Sequence, residues 1–147
     1  MLTPKAYVEL FHLMFLRQFS AQIDPHLYAI KGGCNLRFFF ESARYSEDLD
    51  IDVCTVQKQT LENKVNKILT TLPLLKLLQA YGVTQLTVNP SKQTSTTQRW
   101  KIQLHTEHSL LAYPTKIEFS RRQNMLANTL GNISMSICQT YHLPPIR

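Results

Sequence analysis

Near the start of the chain, Tyr7, Leu10, Phe11, Met14, Phe15 and Phe19 recur at helical spacing, predicting a helix from about Pro4 to Ser20. Thr3 followed by Pro4 supplies its start, a capping hydroxyl and then a residue whose fixed φ suits the first turn. Asp24-Pro25 ends the segment. Leu27 to Ile30 is a short apolar run bounded by Gly32-Gly33, which reads as a strand entering a tight turn. Asn35 to about Glu41 reads as a short helix. From Asp48 to Cys54 the period changes to strict alternation, with Leu49, Ile51 and Val53 set against Asp48, Asp50 and Asp52; this is a strand with one buried face. Thr60 to Tyr81 is helical with an interruption near Pro73 and a close at Gly82. Val83 to Val88 reads as a strand, and the Ser/Thr-rich Pro90 to Thr97 as a mobile hairpin loop. Arg99 to Thr106 and Thr115 to Ser120 alternate again, placing Trp100, Ile102, Leu104, Ile117 and Phe119 inward. Met125 to Arg147 shows no clean stripe and receives no assignment.

With 147 residues, 44% of them hydrophobic, the chain is long enough for one well-formed core, and no linker or repeat divides it. Residues 1–147 therefore read as a single domain. No apolar run is long enough for a membrane span: Leu10 to Phe19 is broken by His12, Arg17 and Gln18. The N-terminus has no signal-peptide pattern, so a cytoplasmic location is expected. Cys34, Cys54 and Cys138 are scattered and odd in number, which suits reduced thiols better than a disulfide framework or a zinc site.

The formal charge of +6 favours polyanionic partners such as nucleic acid or nucleoside triphosphates. Against that basic background, Glu47, Asp48, Asp50 and Asp52 concentrate acid in one short run. On a strand the three aspartates project to one face with neighbours roughly 7 Å apart, and their repulsion is relieved when a cation sits between them. Such carboxylates suit Mg²⁺, a hard ion that also takes phosphate oxygens. A solvated strand face explains the same alternation, although acids are poor strand formers. Glu118 sits on the polar face of a second alternating strand and is either a third carboxylate for that site or an exposed glutamate.

Lys31-Gly32-Gly33 lies about fifteen residues before the acids, in strand–turn–helix order, where backbone N–H groups can approach a phosphate. Taken alone, a Gly-Gly pair is also an ordinary turn. Ser46 either donates to a phosphate or caps the turn, Arg44 is placed to pair with a nucleotide phosphate, and Arg37 either flanks the site or makes a structural pair with an acid such as Glu41 one helical turn on. His12 reads as a helix-surface residue. Arg99 and Lys101 share a strand face that is either solvated or lines a polyanion groove, and Lys92, Arg121 and Arg122 are open to either solvent or RNA.

The segments Tyr-Ala-Ile-Lys-Gly-Gly-Cys-Asn-Leu-Arg-Phe (28–38) and Ala-Arg-Tyr-Ser-Glu-Asp-Leu-Asp-Ile-Asp (43–52) resemble the AbiEii/AbiGii toxin family of nucleotidyltransferases, within the DNA polymerase β-like superfamily. Lys116-Ile117-Glu118-Phe119-Ser120 looks like the family's third-carboxylate strand. The resemblance covers roughly residues 1–122. It implies an α/β (α+β) nucleotidyltransferase fold, a small mixed sheet flanked by helices. By the same resemblance, Asp48, Asp50 and Glu118 hold two Mg²⁺ ions and carry catalysis, and Lys31, Gly32, Gly33, Arg44 and Ser46 bind the nucleotide. A nucleoside triphosphate would be the substrate, an RNA (tRNA among the candidates) or a protein the acceptor, and an antitoxin protein the partner. The family's distal helical region, with a further triphosphate-binding lysine, has no match in this sequence. A shortened, non-catalytic domain acting by nucleotide or partner binding is the alternative, and a plain basic RNA-binding module a third.

Overall fold

The computed structural model describes residues 2–40 and 43–122, together with Ile133, Ile137 and Tyr141. Helix α1 spans Pro4–Gln22, and the Thr3 hydroxyl accepts from the Ala6 N–H at its start. A 3-10 turn at Pro25–Leu27 leads into β1 (Tyr28–Lys31) and α2 (Gly32–Phe40). Strand β2 (Leu49–Val53) is followed by α3 (Lys58–Thr70) and α4 (Leu72–Gln79), then by β3 (Val83–Gln93), β4 (Thr97–Thr106) and β5 (Tyr113–Arg121). The expected long helix is thus two helices, broken at Thr71 with Pro73 in the first turn of the second. There the missing N–H and fixed φ of proline cost nothing. Gly82, at φ +98°, ends the pair in a conformation that suits glycine.

The five strands form one mixed sheet in the order β1-β2-β5-β4-β3. β1 pairs antiparallel with β2, β2 parallel with β5, and β5, β4 and β3 form an antiparallel run. Alternation decides the faces. Leu49, Ile51, Val53, Trp100, Ile102, Leu104, Ile117 and Phe119 are buried against the helices, and the intervening positions form the opposite, open face.

Three expectations are corrected. The segment 90–97 is not a mobile loop: β3 continues to Gln93 and β4 starts at Thr97, so the turn is confined to 94–96. Pro90 is accommodated because β3 is an edge strand and its register shifts between Asn89 and Lys92. The short helix begins at Gly32 rather than Asn35, so the glycine pair is its first turn. His12 is not on the surface but fully buried. Helix α1 lies against β5, α3 and α4, and it is covered on most sides, Glu9 and His12 included. Its apolar spacing therefore marked only part of the surface that it buries. Glu41 and the segment 123–132 lie outside the described residues, as does most of the remaining tail. Within that tail Ile133, Ile137 and Tyr141 are buried and belong to the core. No helix among the described residues is long and apolar enough to cross a membrane.

Candidate active site

Sheet register brings the sequence-distant charges together. Lys31 on β1 is opposite Asp50 on β2, Asp50 is opposite Glu118 on β5, and Glu118 is opposite Arg99 on β4. One cross-strand row on the open face therefore reads Lys31–Asp50–Glu118–Arg99. Asp48 lies just before β2 on the same face. Its carboxylate accepts from the Lys116 N–H at 3.1 Å and faces the Lys116 ammonium at 3.6 Å. Because side chains on a strand alternate, Asp48 and Asp50 share a face whatever the rest of the fold does. Placing Glu118 beside them required the parallel β2–β5 pairing.

The field at this face is negative near Asp50. Burial raises the Asp50 carboxyl above its ordinary value, and the charges of Glu118 and Asp48 raise it further, while Lys31 and Lys116 pull the other way. The other acids have cations at hand. Glu118 accepts from Arg99 at 2.6 Å, and Asp52 is held by Lys31 at 2.9 Å and Arg122 at 3.2 Å. With these pairs in place, no three His, Cys, Asp or Glu side chains among the described residues are gathered as a ready-made metal cluster. The donor set is nonetheless the right kind for Mg²⁺: carboxylate oxygens, with excess negative charge at Asp50.

The glycine pair packs against this row. Gly32 has φ +69°, and a Cβ there would lie 3.6 Å from Asp50 Oδ2. A Cβ on Gly33 would lie 2.9 Å from Ser46 Oγ. The Ser46 hydroxyl itself donates to the Asp48 carbonyl at 2.7 Å. An open cleft of about 1350 Å³, large enough for a nucleotide, is lined by Gly33, Arg44, Ser46, Asp48, Asp50, Lys101 and Lys116 among others, with Gly32 and Glu118 beyond its lining.

Of the sequence candidates, Asp48, Asp50, Glu118, Gly32, Gly33 and Ser46 meet at one place. Lys31 is there too, but its ammonium is engaged by Asp52. Arg44 lines the cleft. Arg37 points elsewhere: it makes a two-pronged ion pair with the buried Glu9 of α1, at 2.7 and 3.1 Å, and lies 4.4 Å over the Tyr45 ring. Arg121 is structural, donating to the Val56 carbonyl. From the sequence Arg99 reads as lining a polyanion groove or facing solvent, not as a partner of Glu118, and Lys116 is not singled out, since a basic residue on a polar strand face signals nothing until its cross-strand neighbour is known.

The family model for the AbiEii nucleotidyl transferase toxin, of type IV toxin–antitoxin systems, matches residues 14–140. No curated protein sequence matches the chain. Among solved structures, MenT4, a nucleotidyltransferase toxin from Mycobacterium tuberculosis, superposes with a TM-score of 0.59 at 21% identity, covering 96% of this chain and 46% of that one. JHP933 from Helicobacter pylori gives 0.56 at 19% identity, over 83% of this chain and 46% of that one. The chain thus spans about half the length of these structures, and at this identity the likeness is one of fold.

Proposed function

The chain belongs to the AbiEii nucleotidyl transferase toxin family, and on that premise we propose that it transfers a nucleotidyl group from a nucleoside triphosphate to an acceptor hydroxyl. The observation that carries this reading is the register that sets Asp50 beside Glu118, with Asp48 on the same face and Gly32-Gly33 alongside. Asp48 and Asp50 would hold Mg²⁺, with Glu118 as third ligand once it parts from Arg99. The metal would supply charge neutralisation for the triphosphate and its leaving group. The backbone of Gly32 and Gly33, with Ser46, Lys31 and Arg44, would seat the phosphates. The acceptor hydroxyl attacks the α-phosphorus as its proton passes toward Glu118. The bond from the α-phosphorus to the bridging oxygen breaks, and pyrophosphate departs.

The acceptor is an RNA, with tRNA one candidate, or a protein, and an antitoxin would restrain the activity. We place the reaction in the cytoplasm, carried by residues 1–147 as one domain. Incubation with Mg²⁺ and each radiolabelled triphosphate, with and without total RNA, tests the reading. Label transfer that disappears in Asp48→Ala is expected. Nucleotide binding without transfer by the wild type would instead mark a non-catalytic domain. That reading draws on the ion pairs which engage Asp48 and Glu118.

A further inference from the structure

Beneath the acids, on the core side of the sheet, lies a second polar assembly. Strand β5 alternates inward with Thr115, Ile117 and Phe119, so Thr115 takes a core position that an aliphatic residue would fill more cheaply. Its hydroxyl donates to the Glu47 carbonyl at 2.7 Å. The hydroxyl has one hydrogen, so its contact with His12 Nε2 at 2.8 Å fixes the roles there: His12 donates and Thr115 accepts. His12 is fully buried and stays neutral, its pKa lowered to about 3 by burial, which is consistent with a single proton on Nε2. The other ring nitrogen is then an acceptor, 3.6 Å from the Cys34 sulfur. The thiol's one hydrogen serves either that nitrogen or the Asp48 carbonyl at 3.3 Å, where Ser46 donates at 2.7 Å.

The carbonyls of residues 47 and 48 precede the first residue of β2. The Thr115 hydroxyl of β5 satisfies the first, and Ser46 with the Cys34 thiol of α2 meets the second, in place of a strand partner. The segment that must present Asp48 in register with Asp50 is consequently pinned from below by hydrogen bonds that are buried or partly buried.

We propose that Thr115, oriented by His12, is a positioning residue for Asp48, fixing the backbone from which this carboxylate meets the metal. The inference rests on the metal-site reading given above. Supporting hydrogen bonds of this kind typically change metal affinity by about 10- to 100-fold when removed. Mn²⁺ is a suitable probe, because the electron paramagnetic resonance signal of the free ion reports binding without any catalytic turnover.

The experiment measures Mn²⁺ affinity in the full chain for the wild type, Asp50→Asn, Thr115→Val and Thr115→Ser, with thermal melts to confirm folding. Thr115→Val keeps the shape of the side chain and removes the hydroxyl; Thr115→Ser keeps the hydroxyl. We expect Mn²⁺ to bind the wild type, to be lost in Asp50→Asn, to bind Thr115→Val about tenfold more weakly, and to bind Thr115→Ser within about twofold of wild type. A purely structural threonine would lower the melting temperature and leave Mn²⁺ affinity unchanged. Wild-type affinity in folded Thr115→Val, or an equal loss in Thr115→Ser, overturns the positioning role alone. Wild-type protein that binds no Mn²⁺, or binds it as well in Asp50→Asn, overturns the metal site and this role with it. Should Thr115→Val fail to fold, Thr115→Ala carries the same comparison against Thr115→Ser.

Discussion

His12 shows how one buried side chain ties stability to pH. Its folded form takes up a second ring proton only below about pH 3, against 6.5 as the ordinary value. The unfolded chain therefore binds the extra proton between those values. Stability from this residue is complete above about pH 6.5 and falls as pH drops toward 3, by up to ~1.4 kcal/mol per pH unit. Urea unfolding of His12→Gln across pH 6.5 to 4 should show a flatter profile than wild type, by no more than that slope. Gly32 makes a different residue-scale prediction. With φ at +69° and Asp50 within van der Waals reach of a new Cβ, Gly32→Ala strains the backbone whatever space exists. We expect a loss of about 1–2 kcal/mol in urea unfolding. Both residues were visible in the sequence, but only the glycine carried a legible reason. A histidine on an apolar helix face looks the same whether it faces water or Thr115.

Among elements, a buried ion pair ties α1 to α2. Glu9 is 1% exposed and is held by the Arg37 guanidinium and the Tyr141 hydroxyl, the latter at 2.7 Å. Removing one partner of a buried pair leaves an uncompensated charge. Arg37→Met should therefore lower unfolding free energy by about 3 kcal/mol, at the low end of the usual range because Tyr141 still donates. The double variant Glu9→Gln/Arg37→Met should recover part of that loss, as a double-mutant cycle in urea would show. Sequence spacing pointed to Glu41, one helical turn from Arg37, as partner. Glu41 lies outside the described residues; the Glu9 partner comes from the preceding helix, a contact between elements that i,i+4 logic cannot anticipate. The β3–β4 hairpin makes the same point: polar, Ser/Thr-rich composition suggested a loop, and pairing with β4 made residues 90–93 a strand.

For the whole molecule, function and stability oppose each other at Asp50. A carboxyl raised above its ordinary value binds its proton more readily in the folded chain than in the unfolded one, so its ionisation removes stability as pH rises through that range. Asp50→Asn should abolish label transfer while leaving the melting temperature at neutral pH equal to or above that of wild type. Most substitutions destabilise, so this combination is diagnostic. Added Mg²⁺ should raise the wild-type melting temperature, because a ligand that binds only the folded state stabilises it, and should leave Asp50→Asn unmoved. Both outcomes are read by a thermal melt with and without Mg²⁺.

Alternation along a strand needs no tertiary information, and so the sequence by itself placed Asp48, Asp50 and Asp52 on one face and Leu49, Ile51 and Val53 on the other. It marked most elements for the same reason, since period 2 and period 3.6 are properties of the local backbone. Which strand lies beside which is decided by long-range packing. Only the tertiary structure set Glu118 against Asp50, gave Glu118 and Asp52 their cations, and stood Asp48 on a buried Thr115–His12 support. Those contacts join residues up to 103 positions apart, and no local pattern encodes them.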